Sequence, residues 1–138
     1  MSNIENLKRQ HKDIRKEMDN IDAIINKRDY ENYLDDFVMY VNNLAGKLNV
    51  HLNSEDKFLY PDLINEKDLE LKNIANRYIH EMGDISKKFM EYKNKFNTKS
   101  KINEKLDEFV PQTKIIISQI KNRISREENE LYKLILKK

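Results

Sequence analysis

Apolar residues recur along this chain at alternating steps of three and four, the spacing of helices that bury one face. Nowhere do they show the strict alternation of a half-buried strand. In the first helix the inward positions are Ile4, Leu7, His11, Ile14, Met18, Ile21 and Ile25. The alternation is unbroken only with His11 included, which turns that histidine toward the core. Ser2 and Glu5 have the S-x-x-E spacing of a capping box, so this helix is expected to begin at once and to fade near Asn26 and Lys27. The second helix is expected from near Asp29 to about Tyr60, because Pro61 disfavours helical geometry in the residue before it. Its inward positions are Phe37, Val41, Leu44, Leu48, His51, Glu55 and Phe58, and Gly46 lies off this stripe. The third opens after Asp68 as N-cap and turns Leu71, Ala75, Tyr78, Met82, Ile85, Phe89, Tyr92 and Phe96 inward. At about 100° per residue His80 falls on its opposite side. The fourth is expected from near Ser100 to the C-terminus, kinked or divided at Pro111. Thr113, Ile116 or Ile117, Ile120, Ile124, Glu127, Leu131 and Leu134 face inward there, and Arg123 sits at the edge of the stripe. Lys133, Lys137 and Lys138 suit the negative end of its dipole. The fold class is therefore all-α, an up-down-up-down four-helix bundle.

Composition sharpens this picture. A length of 138 residues suits one domain spanning 1–138, and two Gly with two Pro are too few for the turns of a sandwich or barrel. The absence of Cys excludes disulfides, thiolate metal sites and a cysteine nucleophile. Twenty-six Lys and Arg against 24 Asp and Glu give a net charge of +2 with the signs interspersed. That is the pattern of solvated helix faces, so no nucleic-acid partner is expected. No apolar run is long enough to span a membrane, and the polar start MSNIENLKRQHK has no signal-peptide core. A soluble cytoplasmic protein is expected.

Four ionisable residues fall on inward stripes: His11, His51, Glu55 and Glu127. A buried carboxylate costs several kcal/mol unless a cation or strong donors meet it, and two facing one cavity raise each other's pKa. Something positive must stand between them. The residues leave three choices open: a metal ion, a protonated histidine, or the guanidinium of Arg123. Imidazole nitrogen with carboxylate oxygen suits iron, manganese or zinc. His51 and Glu55, one turn apart, can reach the same ion; their plainer reading is an intrahelical hydrogen bond.

The segment HLNSEDKFLYP at His51–Pro61 resembles the H-x-x-x-E-[ED]-x-x-L-[FY]-P motif of hemerythrin-like (HHE cation-binding) domains. An early HKDI at His11 and a second copy of the motif end, RISREENELY at Arg123–Tyr132, extend the likeness over nearly the whole chain. The resemblance implies a non-haem iron site with dioxygen or nitric oxide as exogenous ligand, and roles in oxygen or redox sensing, iron handling or repair of iron centres. It implies His11, His51, Glu55 and Glu127 as metal ligands. Two positions depart from it. Arg123 stands where the family has histidine, and a guanidinium has no lone pair for a metal. On the third helix the phase-matched position is Met82, unless a helical bulge near Gly83 rotates His80 inward. The expected site is thus reduced to one metal, a weak pair, or none. In the last case Arg123 bridges Glu55 and Glu127 in a metal-free interaction or signalling bundle. If the fourth helix is rotated, Glu128 replaces Glu127. Tyr60 and Tyr132, at matching motif ends, are expected to close the bundle rather than to donate to a ligand. Two inward acids are few for di-iron oxygenase chemistry, so a binding protein rather than an enzyme is expected.

Overall fold

Each stripe becomes a helix, and the departures from regularity fall where the local chemistry demands them. The computed structural model describes residues 2–65 and 67–137, apart from the side chains of Ser2 and Asn3, and among them it is all-helical with no strand. Helices α1 (Ser2–Ile25), α2 (Leu34–Phe58), α4 (Leu69–Phe96) and α6 (Leu106–Arg126) are the long runs. Three short helices, α3 (Tyr60–Ile64), α5 (Lys99–Glu104) and α7 (Tyr132–Lys137), extend or introduce them. The expected Ser2–Glu5 cap and the Lys138 contribution lie outside the described residues. None of the described helices is long and apolar enough to cross a membrane.

Several boundaries differ from expectation. A single 3-10 turn, Tyr30–Tyr33, precedes α2 where the α-helix itself was expected from Asp29. Pro61 does not end the helical path. The break comes at Leu59 (φ −112°, ψ −61°), and α3 restarts with Pro61 in its first turn, where the missing N–H costs nothing. The same break carries Leu59 into the core and leaves Phe58, expected inside, 57% exposed. Asp68 caps α4 as expected, its carboxylate accepting from the Glu70 and Leu71 N–H groups. Thr98, accepting from Lys101 N–H, starts the last run two residues before Ser100. That run divides at Lys105 rather than at Pro111. The earlier break lets the short α5 place Ile102 fully inside the core. Pro111 and Asp107 are both exposed, so water can satisfy the carbonyl that the proline leaves without an N–H partner.

The buried side chains form two apolar clusters. The larger contains Ile14 to Ile25, Phe37 to Leu48, Phe89 to Phe96 and Ile102 to Ile124; the smaller contains Ile4, Leu7, Leu59, Tyr60, Leu63, Leu71 to Tyr78, Leu131 and Tyr132. Each fully buried Leu, Ile or Phe contributes about 1.5–3 kcal/mol, so the clusters supply the drive to fold. Along the chain, the four long runs meet them in alternating order: small then large in α1, large then small from α2 into α3, small then large in α4, large then small from α6 into α7. Between the clusters lies a layer of buried polar side chains, His11, His51, Glu55, Arg123 and Glu127. Arg123, expected at the stripe edge, is only 2% exposed.

Gly46 and Gly83 are exposed helix residues with ordinary negative φ, and a Cβ at either would meet nothing within 4 Å. Gly46→Ala and Gly83→Ala should each add about 0.5–1 kcal/mol of stability by removing backbone entropy from the unfolded chain. Urea denaturation of the single and double variants, with additive gains, is the check.

Candidate metal centre

His11 and His51 face each other across the α1–α2 contact, and what holds each ring from behind decides what it offers in front. The His11 Nδ1 is 2.9 Å from Glu128 Oε2, and Glu128 is itself clamped by Arg15 through two 2.9 Å bonds. A carboxylate only accepts, so His11 carries its proton on Nδ1. Burial opposes ionisation of Glu128, but Arg15 and His11 together hold its carboxyl below the usual range. The His51 Nδ1 is 2.8 Å from Gln10 Oε1. The orientation of that amide is fixed in turn. Gln10 Nε2 donates to Ser54 Oγ at 3.1 Å, and the Ser54 hydroxyl donates to the Val50 carbonyl. Gln10 Oε1 therefore accepts, and His51 too is protonated on Nδ1.

Both Nε2 lone pairs consequently turn inward. The two Nε2 atoms are 3.0 Å apart, and Glu127 Oε2 lies 3.0 Å from that of His11 and 3.5 Å from that of His51. Glu55 Oε1 stands 3.1 Å from His51 Nε2, yet the angle makes no hydrogen bond and this buried oxygen has no hydrogen-bond partner. The intrahelical hydrogen bond foreseen for this pair is therefore not made. Three atoms that bear lone pairs thus crowd one point, with Glu55 Oε1 beside His51 Nε2 and a single hydroxyl donor, that of Tyr132, at the rim. Such an arrangement repels itself unless a proton or a cation sits inside. The separations suit a cation: bonds of about 2.1 Å at right angles put neighbouring ligand atoms roughly 3.0 Å apart, and tetrahedral angles roughly 3.4 Å. His11, His51 and Glu127 form a group able to hold a metal ion, each offering an atom within 4.8 Å of the others.

The two acids are held by matching devices. Tyr132 donates to Glu127 Oε2 at 2.9 Å, and Tyr60 donates to Glu55 Oε2 at 3.1 Å. Each tyrosine stands five residues after its glutamate, which on an α-helix is about 140° away from it. Both helices abandon α geometry in that interval. The chain breaks at Leu59 in one, and residues Glu127–Leu131 form a π turn in the other, with the Tyr132 N–H bonded to the Glu127 carbonyl. The tyrosines do close the bundle as expected, and they also orient the acids. Burial, then the nearby carboxylates, push both phenols above their usual range, so both remain donors.

On the other side stands Arg123. Its Nε donates to Glu127 Oε1 at 2.9 Å, Nη2 donates to the Tyr78 carbonyl at 2.8 Å and to Tyr60 Oη at 3.2 Å, and Nη1 reaches Glu81 at 3.2 Å. Its plane stacks 4.2 Å from the Tyr78 ring centre. Arg123 does not fork between the two acids as foreseen, because α6 and the π turn give it Glu127 directly while Tyr60 intervenes before Glu55. From α4, Met82 is buried beside the layer and His80 is exposed; α4 runs unbroken past Gly83, and the helical irregularity lies in the last run instead. Glu127 is inward without any rotation, and Glu128 serves beside it. A cleft of about 490 Å³ between α2 and α4, lined in part by Leu48, Leu52 and Met82, passes next to the layer without containing any of its acids or histidines.

The family model of the hemerythrin HHE cation-binding domain matches residues 2–135. The chain belongs to this family. No curated protein and no solved structure matches it. Within the hemerythrin frame, sequence reasoning placed His11, His51, Glu55 and Glu127 inside but missed the parts of Gln10, Glu81 and Arg15. Gln10 was legible: Leu7, Gln10, Ile14, Glu17, Ile21 and Ile24 form a second run of three-four steps beside the first, and all six are buried.

Burial lowers the His51 pKa, but the adjacent Glu127 and Glu55 carboxylates outweigh it and raise the value to about 9. Burial and the Glu127 charge push Glu55 up; for Glu127 burial is overcome by the two adjacent histidines, which hold it well below the usual range. In metal-free protein, the folded His51 pKa exceeds its unfolded value, so its stabilisation is complete below about pH 6.5 and is lost as pH rises through about 9. Chelator-treated protein should therefore lose on the order of 3 kcal/mol between these limits, read by urea denaturation across the pH series. Arg123→Ala should cost about 3–5 kcal/mol, because it strands buried Glu127 and the Tyr60–Glu55 pair; a change below about 1 kcal/mol would show that the acids do not rely on it.

Proposed function

We propose that this chain is a cation-binding module, one domain with an up-down-up-down four-helix path, that holds non-haem iron through His11, His51 and Glu127 with Glu55 alongside. The observation that carries this reading is the pair of imidazoles tied outward at Nδ1, to Glu128 and to Gln10, so that both Nε2 atoms and a Glu127 carboxylate oxygen converge on one point. Metal-binding histidines are commonly tied in this way, since an acceptor on the far nitrogen fixes the tautomer and raises the basicity of the near one. Two histidines with one carboxylate is a donor set suited to ferrous iron, and the unpartnered Glu55 Oε1 is a further donor at its margin. The alternating order in which the four runs meet the two clusters supports the up-down path.

Bound iron would supply a redox-active Lewis acid with open positions. The protein's own residues orient and shield it: Tyr60 and Tyr132 fix the acids, and Met82 and the two apolar clusters keep water from the layer. A buried, redox-active site with few acids favours binding over catalysis, and hence oxygen or redox sensing or iron handling in the cytoplasm, with dioxygen or nitric oxide as the small ligand. A metal-free bundle, in which Arg123 alone compensates the acids, is the second reading. The four contacts of its guanidinium favour it, yet they leave Glu55 Oε1 and the facing Nε2 atoms unexplained.

Protein stripped of metal and exposed to ferrous iron without oxygen should retain iron after desalting, and His51→Ala should abolish that retention. Failure of the unaltered chain to retain any iron, manganese or zinc would leave the metal-free reading. Gln10→Ala should weaken metal binding by about 10–100-fold while leaving all three donor side chains in place, measured by competition with a chromophoric chelator.

A further inference from the structure

Resting on the metal-binding reading above, we infer that the Arg123 guanidinium occupies the place of a second cation, so that the layer accepts a single divalent ion. Each acid points its two oxygens in different directions. Glu127 turns Oε2 toward the imidazoles and Oε1 toward Arg123 Nε. Glu55 turns Oε1 toward His51 and Oε2 toward Tyr60, whose hydroxyl oxygen accepts from Arg123 Nη2. The layer therefore has two compartments that share the same pair of carboxylates. One is lined by imidazole nitrogens. The other already contains a cation that is covalently attached, 2% exposed, permanently protonated and without a lone pair.

Charge gives the same count. Glu55 and Glu127 can bring two negative charges. Arg123 and one divalent ion already exceed that by one, and Glu81, 3.2 Å from Arg123 Nη1, is shared with Arg126 at 2.9 Å. Glu128 is already matched by Arg15. A second divalent ion would find no acid left to meet it. It would also find no nitrogen from α4, where Tyr78 stacks on Arg123, Met82 is buried and His80 is exposed.

The test is a stoichiometry. The full chain, stripped of metal, is titrated anaerobically with ferrous iron and, in parallel, with cobalt(II), and bound metal is counted by elemental analysis after desalting. One equivalent is expected, with the cobalt absorption band saturating at one. Arg123→His, which removes the fixed charge and adds a nitrogen donor, should raise the count toward two, with circular dichroism reporting its folding. Should that variant not fold, His51→Ala decides on its own: a one-ion layer falls from one equivalent to none, whereas a two-ion layer falls from two toward one. Two equivalents in the unaltered chain, or a folded Arg123→His variant that still binds one, would overturn the inference and leave the metal-binding reading intact. No retained metal in the unaltered chain would overturn that reading instead.

Discussion

The structure turns on the direction in which two imidazoles hold their protons. His11 and His51 are fully buried, and a neutral buried histidine can present either a donor or a lone pair to its neighbours. Here the choice is made from outside the layer. Arg15 holds Glu128 as an anion, Glu128 holds the His11 Nδ1–H, and the Val50 carbonyl, Ser54 and Gln10 fix His51 in the same sense. These are surface-to-core chains of hydrogen bonds, each step determined by which group can only accept. Their effect is to concentrate lone pairs where an apolar core would otherwise be cheapest, at the junction of two hydrophobic clusters.

A layer so rich in acceptors needs its acids held still, and the two helix ends accomplish this in related ways. EDKFLYP and EENELYK place a tyrosine five residues after a glutamate, a separation that α geometry splays apart. One helix solves the problem by breaking and restarting, the other by inserting a π turn. Neither irregularity is an accident of the neighbouring packing, because in both cases the product is the same tyrosine-to-carboxylate hydrogen bond. Irregular helix at the level of a site is the structural cost of aiming two side chains that the regular helix cannot aim together.

The helices were legible because the apolar steps are regular over long windows, and His11, His51, Glu55 and Glu127 were legible because each interrupts a stripe without breaking its spacing. What could not be read was the local departure from that spacing. Phe58 obeys the α-helical step from Glu55 and is nonetheless exposed, since the break at Leu59 resets the phase one residue later. Pro111 drew the expected division to itself, whereas the chain divided at Lys105 to bury Ile102. Arg123 was placed at the edge because it falls between the inward positions Ile120 and Ile124, but a side chain that can make five hydrogen bonds and stack on a ring can be buried when acceptors are supplied for it. Period reports the face of a regular helix; it does not report which polar residues will be compensated.

The two halves of the polar layer are chemically unequal. Helices α1 and α2 contribute imidazoles whose protons are directed away, and so leave electron pairs seeking a cation. Helices α4 and α6 contribute a thioether, a peptide carbonyl and a guanidinium, and that half is already electrically complete. The carboxylates of Glu55 and Glu127 belong to both halves. Burial pushes Glu55 toward neutrality, while Glu127, fed by donors from both sides, remains ionised. The layer is thus divided: one side gathers lone pairs, and the other holds the guanidinium of Arg123. The fixed charge keeps the acids tolerable in the core, so that a layer of this kind can fold before any cation reaches it.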